Sequence, residues 1–201
     1  MNAQKLVFKL FLADPAQVHG LKLVPVFQSW IQMHSVENHL AIDVADYEHV
    51  PDGPGTVLIT HEANFSLDSG GGRPGLMYQR KQPLPGTLDE RLATAFRALL
   101  EGASRLEAHP GLKFRTDEFL FRIADRLLAP NTAATFEAVK PALEAFLRTL
   151  LGPSAPFQLE HKPSPHELFE VTIKTPTSAT IGDYLAKLPA PPAAPSPEEN
   201  A

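Results

Sequence analysis

The chain contains no cysteine, which rules out disulfides, thiolate nucleophiles and cysteine-ligated zinc. It also lacks a basic stripe: 18 Lys and Arg stand against 23 Asp and Glu, scattered singly, for a formal net charge of -5. Such a surface does not neutralise a run of phosphates, so nucleic acid is not an expected partner. No segment approaches the about 18 uninterrupted apolar residues of a membrane-spanning helix, so no membrane partner is expected either. The apolar run near the N-terminus is broken by Lys9 and alternates, which suits a first strand better than a signal peptide. Also absent are Gly-x-Ser-x-Gly, His-Glu-x-x-His, the Walker loop and the dinucleotide fingerprint. Nucleophilic serine chemistry has no support, and neither a cofactor nor a metal is expected. The default expectation is a soluble, cytoplasmic protein.

What is present is ordinary globular material. Over 201 residues, 43% are hydrophobic and 20% charged, enough for one full core. Alternation predicts strands over 5–13, 40–49 and 76–81, and again from about 118 to 127, 157 to 162 and 168 to 175. Helical spacing marks 23–36, with Val26, Phe27, Trp30 and Ile31 on one stripe, and 87–108, with Asp89 and Glu90 in its first turn. A third helix runs through Phe136, Val139, Leu143, Phe146 and Leu150, and 180–188 suits a short fourth. These elements predict an α+β fold, a mainly antiparallel sheet with helices on one face, in a single domain over 1–188. Residues 189–201 hold five prolines and no bulky apolar side chain, the composition of a disordered tail.

Residues 56–82 carry the candidate site. Read as one strand, 56–68 places Val57, Ile59, His61, Ala63, Phe65 and Leu67 on an apolar face and Thr60, Glu62, Asn64, Ser66 and Asp68 on a polar one. His61 then reads as a core histidine, and the polar row as a pocket wall or a solvated face. The loop Ser69-Gly70-Gly71-Gly72-Arg73 joins backbone amides to a guanidinium, suited to an anion. Because Pro74 and a strand follow instead of a helix, a wide hairpin connection is the competing reading. Tyr78 and Arg80 share one face of the next strand. Asp43, Asp46 and His49 are split across a strand, which argues against a metal centre. The expected ligand-binding set is therefore Glu62, Asn64, Asp68, Arg73, Tyr78 and Arg80, with Glu62 the candidate general base if the protein is an enzyme.

The element order repeats. Strand, proline-bearing stop, helix, strand, turn and strand run over 5–67 and again over 118–175, with Phe8-Lys9-Leu10 parallel to Phe121-Arg122-Ile123. Two halves, about 5–82 and 112–175, would flank a connecting helix at about 87–108. This order resembles the duplicated strand-helix-strand-strand arrangement of the GyrI-like and SOUL-type small-molecule-binding domains, which implies a ligand held between repeats. Separately, Ile42 to Tyr47, His61 to Asp68 and Gly72 to Lys81 resemble motifs of an uncharacterised bacterial protein family, which implies no activity. The leading expectation is a non-catalytic binding or interaction module with a cleft at the polar face of the central hairpin. Its partner would be a small molecule or a protein, a second copy of the chain included. The alternatives are a small hydrolase using Glu62, or a scaffold subunit that pairs through its strand edges.

Overall fold

Seven consecutive buried residues, Leu-Val-Phe-Lys-Leu-Phe-Leu, make β1 (Leu6–Leu12). A strand shielded on both sides belongs inside a sheet, and β1 lies there in the computed structural model, which describes residues 1–18, 21–50, 53–109, 111–177 and 179–190. The chain continues through α1 (Leu23–Gln32), β2 (Ala41–Tyr47), β3 (Gly55–Thr60), β4 (Ala63–Asp68) and β5 (Gly75–Arg80). Then follow α2 (Leu88–Leu106), β6 (Phe114–Ile123), α3 (Ala133–Leu151), β7 (Gln158–His161), β8 (Phe169–Lys174) and α4 (Ile181–Lys187). The eight strands form one antiparallel sheet in the order β2-β3-β4-β5-β1-β6-β8-β7. The fold is α+β, as the alternation and helical spacing predict. The tail expected over 189–201 lies outside the described residues from 191 onward.

Register shows which side the helices cover. One row crosses all eight strands as Val44, Leu58, Phe65, Tyr78, Phe8, Phe121, Val171 and His161. Except for His161, these residues belong to or pack against the one core cluster shared with α1 to α4. Phe8 is its hub: its ring lies 5.1 Å from both Phe96 of α2 and Phe121 of β6, and 5.8 Å from Phe146 of α3. Such aromatic contacts add to the area they bury. Close approach also needs a missing side chain, since a Cβ on Gly102 of α2 would meet the Phe65 ring at 3.1 Å. Thr87 and Glu90 close a capping box that starts α2. Thr132 accepts from Thr135 to start α3.

Taking out β2 and β3, the strand order β4-β5-β1-β6-β8-β7 is palindromic about the β1–β6 pair. On that reading β5 answers to β8, and β4 to β7. The sequence pairing of 40–67 with 157–175 therefore needs correction: the added unit is the β2–β3 hairpin at the outer edge, not the strand at 76–81, which lies beside β1.

The reading of 56–68 as one strand is also corrected. It is two strands, folded at His61-Glu62 into a tight hairpin. Thr60 closes this turn with its hydroxyl, donating to Ala63 O at 2.8 Å and accepting from Ala63 N at 3.0 Å. The turn inverts the alternation, so Val57 and Ile59 face away from the helices while Ala63, Phe65 and Leu67 face them. His61 is exposed, not in the core.

Both sheet edges carry features that discourage pairing, although β2 also exposes Ile42 and Tyr47. On β2, Asp43 accepts from Val44 N at 2.8 Å, and a register irregularity falls between Ala41 and Asp43. The opposite edge, β7, is four residues long with Pro156 and Pro163 nearby. Charged groups, bulges and short edge strands all discourage sheet extension.

Two outcomes test this packing. Phe8→Ala is expected to cost about 3–5 kcal/mol, the usual range for removing a fully buried phenyl ring, measured as a lower urea midpoint at unchanged slope. The second concerns His39, whose Nδ1 donates to Glu37 O at 2.8 Å while Nε2 accepts from the buried Tyr78 hydroxyl at 3.0 Å. Burial pushes its pKa below the usual imidazole value. The unfolded chain therefore takes up the proton first, and stability is lost as pH falls below about 6.5. Urea midpoints at pH 7.5 and 5 should differ less in His39→Gln than in the parent.

Candidate functional site

The other side of β1 presents Val7, Lys9 and Phe11, which lie outside the cluster shared with the helices. Register extends this open face into a second full row: Ala45, Val57, Ser66, Met77, Lys9, Leu120, Thr172 and Glu160. A neighbouring row runs Asn64, Gln79, Val7, Arg122 and Glu170. Of the buried apolar residues left out of the main core, Val7, Phe11, Val57 and Leu120 all lie here. Two of them, Phe11 and Leu120, floor a groove of about 1000 Å³ whose lining also includes Lys9, Asp68, Arg73, Arg122, Leu159, Glu170 and Thr172.

Lys9 stands on the β1 side of this floor and is only 4% exposed. Its ammonium pairs with Asp68 Oδ1 from β4. Burial pushes its pKa down, against the opposing pull of Asp68, and Arg122 and Arg73 are near enough to add to the lowering. Arg122 donates through Nε to Glu170 Oε2 at 3.0 Å across β6 and β8. Beside them the Arg73 guanidinium covers the Phe11 ring at 3.7 Å and reaches Glu118 at 2.8 Å. Glu118 also takes Arg115 at 2.9 Å. Cation and carboxylate thus alternate along the groove, and the one buried pair, Lys9–Asp68, carries a desolvation cost that hydrophobic residues of the same shape would avoid.

The glycine connection between β4 and β5 lies at the groove wall. Gly71 and Gly72 both take φ of 67°, which side chains other than glycine disfavour. Gly70 N–H donates to Asp68 Oδ1 at 3.2 Å and Gly72 N–H to Ser69 O at 3.1 Å. Two of the amides expected to meet an anion are therefore already engaged within the loop.

The six residues expected to form one site fall on two sides of the sheet. Asn64, Asp68 and Arg73 are on the open face, and the Asn64 carbonyl oxygen is the one buried side-chain polar atom among the described residues without a hydrogen-bond partner. Tyr78 faces the helices beside Phe65 and His39. Arg80 follows it there, donating to Gln82 O at 2.8 Å and to Tyr78 Oη at 3.3 Å. Glu62 sits in the hairpin turn and accepts from Leu40 N at 2.7 Å. Asp43 and Asp46 bond the amides of Val44 and Glu48. Sequence reasoning missed Lys9, Arg122 and Glu170. The signal was there: Lys9 has Val7 and Phe11 two residues to either side, a charge set into an apolar face.

A second recess between α1 and α2, lined by Trp30, His39, Phe65 and Gly102 among others, holds about 10 Å³, at most one water. Among the described residues no group of three or more His, Asp and Glu converges as metal ligands would, and no helix is long and apolar enough to cross a membrane. Compared with protein-family models and with curated proteins, the chain matches none.

If the Lys9–Asp68 pair is kept for something other than stability, its energetics follow a set pattern. Lys9→Met alone, which strands a carboxylate, should lower unfolding free energy by about 3 kcal/mol. The double variant Lys9→Met/Asp68→Leu should recover most or all of that loss in the same denaturation experiment.

Proposed function

We propose that this protein is a non-catalytic binding module that takes a small molecule on the open face of its sheet. The observation that carries this reading is the buried Lys9–Asp68 pair in the wall of a groove that no α-helix covers among the described residues. A groove of about 1000 Å³ is at the upper end of what small-molecule sites enclose; its lining is mostly charged and polar, with Phe11, Leu120, Leu159 and Leu168 as the apolar part. The site so proposed centres on Lys9, Asp68, Arg73 and Arg122, and shares Asp68 and Arg73 with the set expected from the sequence.

The alternatives have less in their favour, though β2 exposes Ile42 and Tyr47 at the sheet edge. The Glu62 carboxylate is tied to the Leu40 amide, away from the groove lining. The exposed edges that a scaffold would use are the guarded strands β2 and β7.

A metabolite thermal-shift screen tests the reading. A ligand is expected whose stabilisation reaches about 2.7 kcal/mol at a hundredfold excess over Kd. Thr172→Trp, which fills the groove from β8, should abolish that shift, and Glu62→Gln should leave it unchanged. A shift lost in Glu62→Gln and kept in Thr172→Trp would put the site back at the turn.

A further inference from the structure

We infer that the groove selects an organic anion carrying an apolar body, and that the Asp68 carboxylate occupies the place the ligand's acidic group takes on Lys9. The inference rests on the binding reading above and adds the ligand's class. Three cations, Lys9, Arg73 and Arg122, converge on the floor from β1, the glycine connection and β6. Each is neutralised by a carboxylate of the chain itself: Asp68, Glu118 and Glu170 in turn.

The three pairs differ in a way that singles out Lys9. Arg73 and Arg122 sit at 45% and 32% side-chain exposure, where water shares in solvating them, while Lys9 is at 5%. An ammonium held so far from water needs a counter-charge at all times. Asp68 at 17% is the more accessible member of its pair and stands at the groove wall, where Oδ1 also receives Gly70 N–H. An incoming carboxylate or sulfonate can therefore replace Asp68 on Lys9, while Asp68 turns toward solvent. Exchange of one anion for another leaves the buried charge count unchanged, so the displaced pair sets no large penalty on binding. A cationic ligand has no such exchange, because it would leave Lys9 buried next to a second positive charge.

The body of the ligand is defined by the floor. Phe11 and Leu120 adjoin Lys9 on the same face, two residues along β1 and directly across on β6, and Leu159 and Leu168 line the far side of the groove. They present aromatic and aliphatic surface, with the Arg73 guanidinium already stacked on Phe11. A flat or branched hydrocarbon group with one acidic head matches this arrangement, and a small inorganic anion would leave the apolar part unused.

Two fluorescent probes separate head from body: anilinonaphthalene sulfonate, and phenylnaphthylamine, which is the same aromatic body without the sulfonate. Titrations of the folded full-length chain at pH 6 should give one-to-one binding of the sulfonate, weakened by added salt. Lys9→Met/Asp68→Leu, which removes both charges without stranding either, should weaken it about tenfold or more, and Arg122→Gln by less. Asp68→Asn should tighten it about tenfold, since the internal competitor is gone. Phenylnaphthylamine should be indifferent to all three. A gain from Asp68→Asn is not expected of a residue that only holds the fold together. If both probes bind alike and no variant moves either, the anion inference falls and the groove-binding reading stands. If neither probe binds and Thr172→Trp changes no thermal shift with any metabolite, both fall together.

Discussion

Eight strands make one sheet, and all the described helices lie against one side of it. This one-sided cover is the constraint on which the rest of the structure depends. Strand β1, in the interior of the sheet, must be sheltered on both faces although only one is packed by helices. On that side shelter comes from the phenyl cluster of Phe8, Phe96, Phe121 and Phe146. On the other it comes from the sheet's own side chains: Arg73 lies over Phe11, while Arg122, paired with Glu170, stands beside Val7. Long cationic side chains shield apolar surface with their stems and keep their charge at the rim. The groove follows from this arrangement, since side chains alone roof a floor less completely than a helix does.

Most of the architecture was legible because burial on one side leaves a strong period. The strand of Leu6, Phe8, Leu10 and Leu12, the stripe of Leu92, Phe96, Leu99 and Leu100, and that of Val139, Leu143, Phe146 and Leu150 each have one face to hide. Element ends were less legible. The strand read to about 127 stops at Ile123, and the helix read to 36 stops at Gln32. In both places the apolar period outlasts the hydrogen-bonded element, and side chains beyond its end continue the pattern.

The site was legible only in part, and the reason is local. The turn at His61-Glu62 has neither glycine, proline nor asparagine, the residues that mark a tight reversal. Its closure uses the Thr60 hydroxyl instead, and a threonine in a strand gives no such warning. Missing a turn of that length reverses every face assignment on one side of it. Asn64, Asp68 and Ser66 kept their company because they share a strand, whereas Glu62 lost its place with them. Tyr78 and Arg80 fell on the helix side because Tyr78 is directly opposite Phe65. Lys9 was visible as an interruption of an apolar run; its meaning needed the neighbours across β5 and β6, which no linear pattern supplies.

The oxygen Oδ1 of Asp68 has two donors, the Lys9 ammonium and the Gly70 amide. One of them is the most sheltered cation on the open face; the other begins the turn with two residues at positive φ. A rotation of this single carboxylate therefore changes two things together: the field at the centre of the sheet and the anchorage of the triglycine segment. Electrostatics and backbone freedom are coupled here through one atom, with no long relay of residues between them.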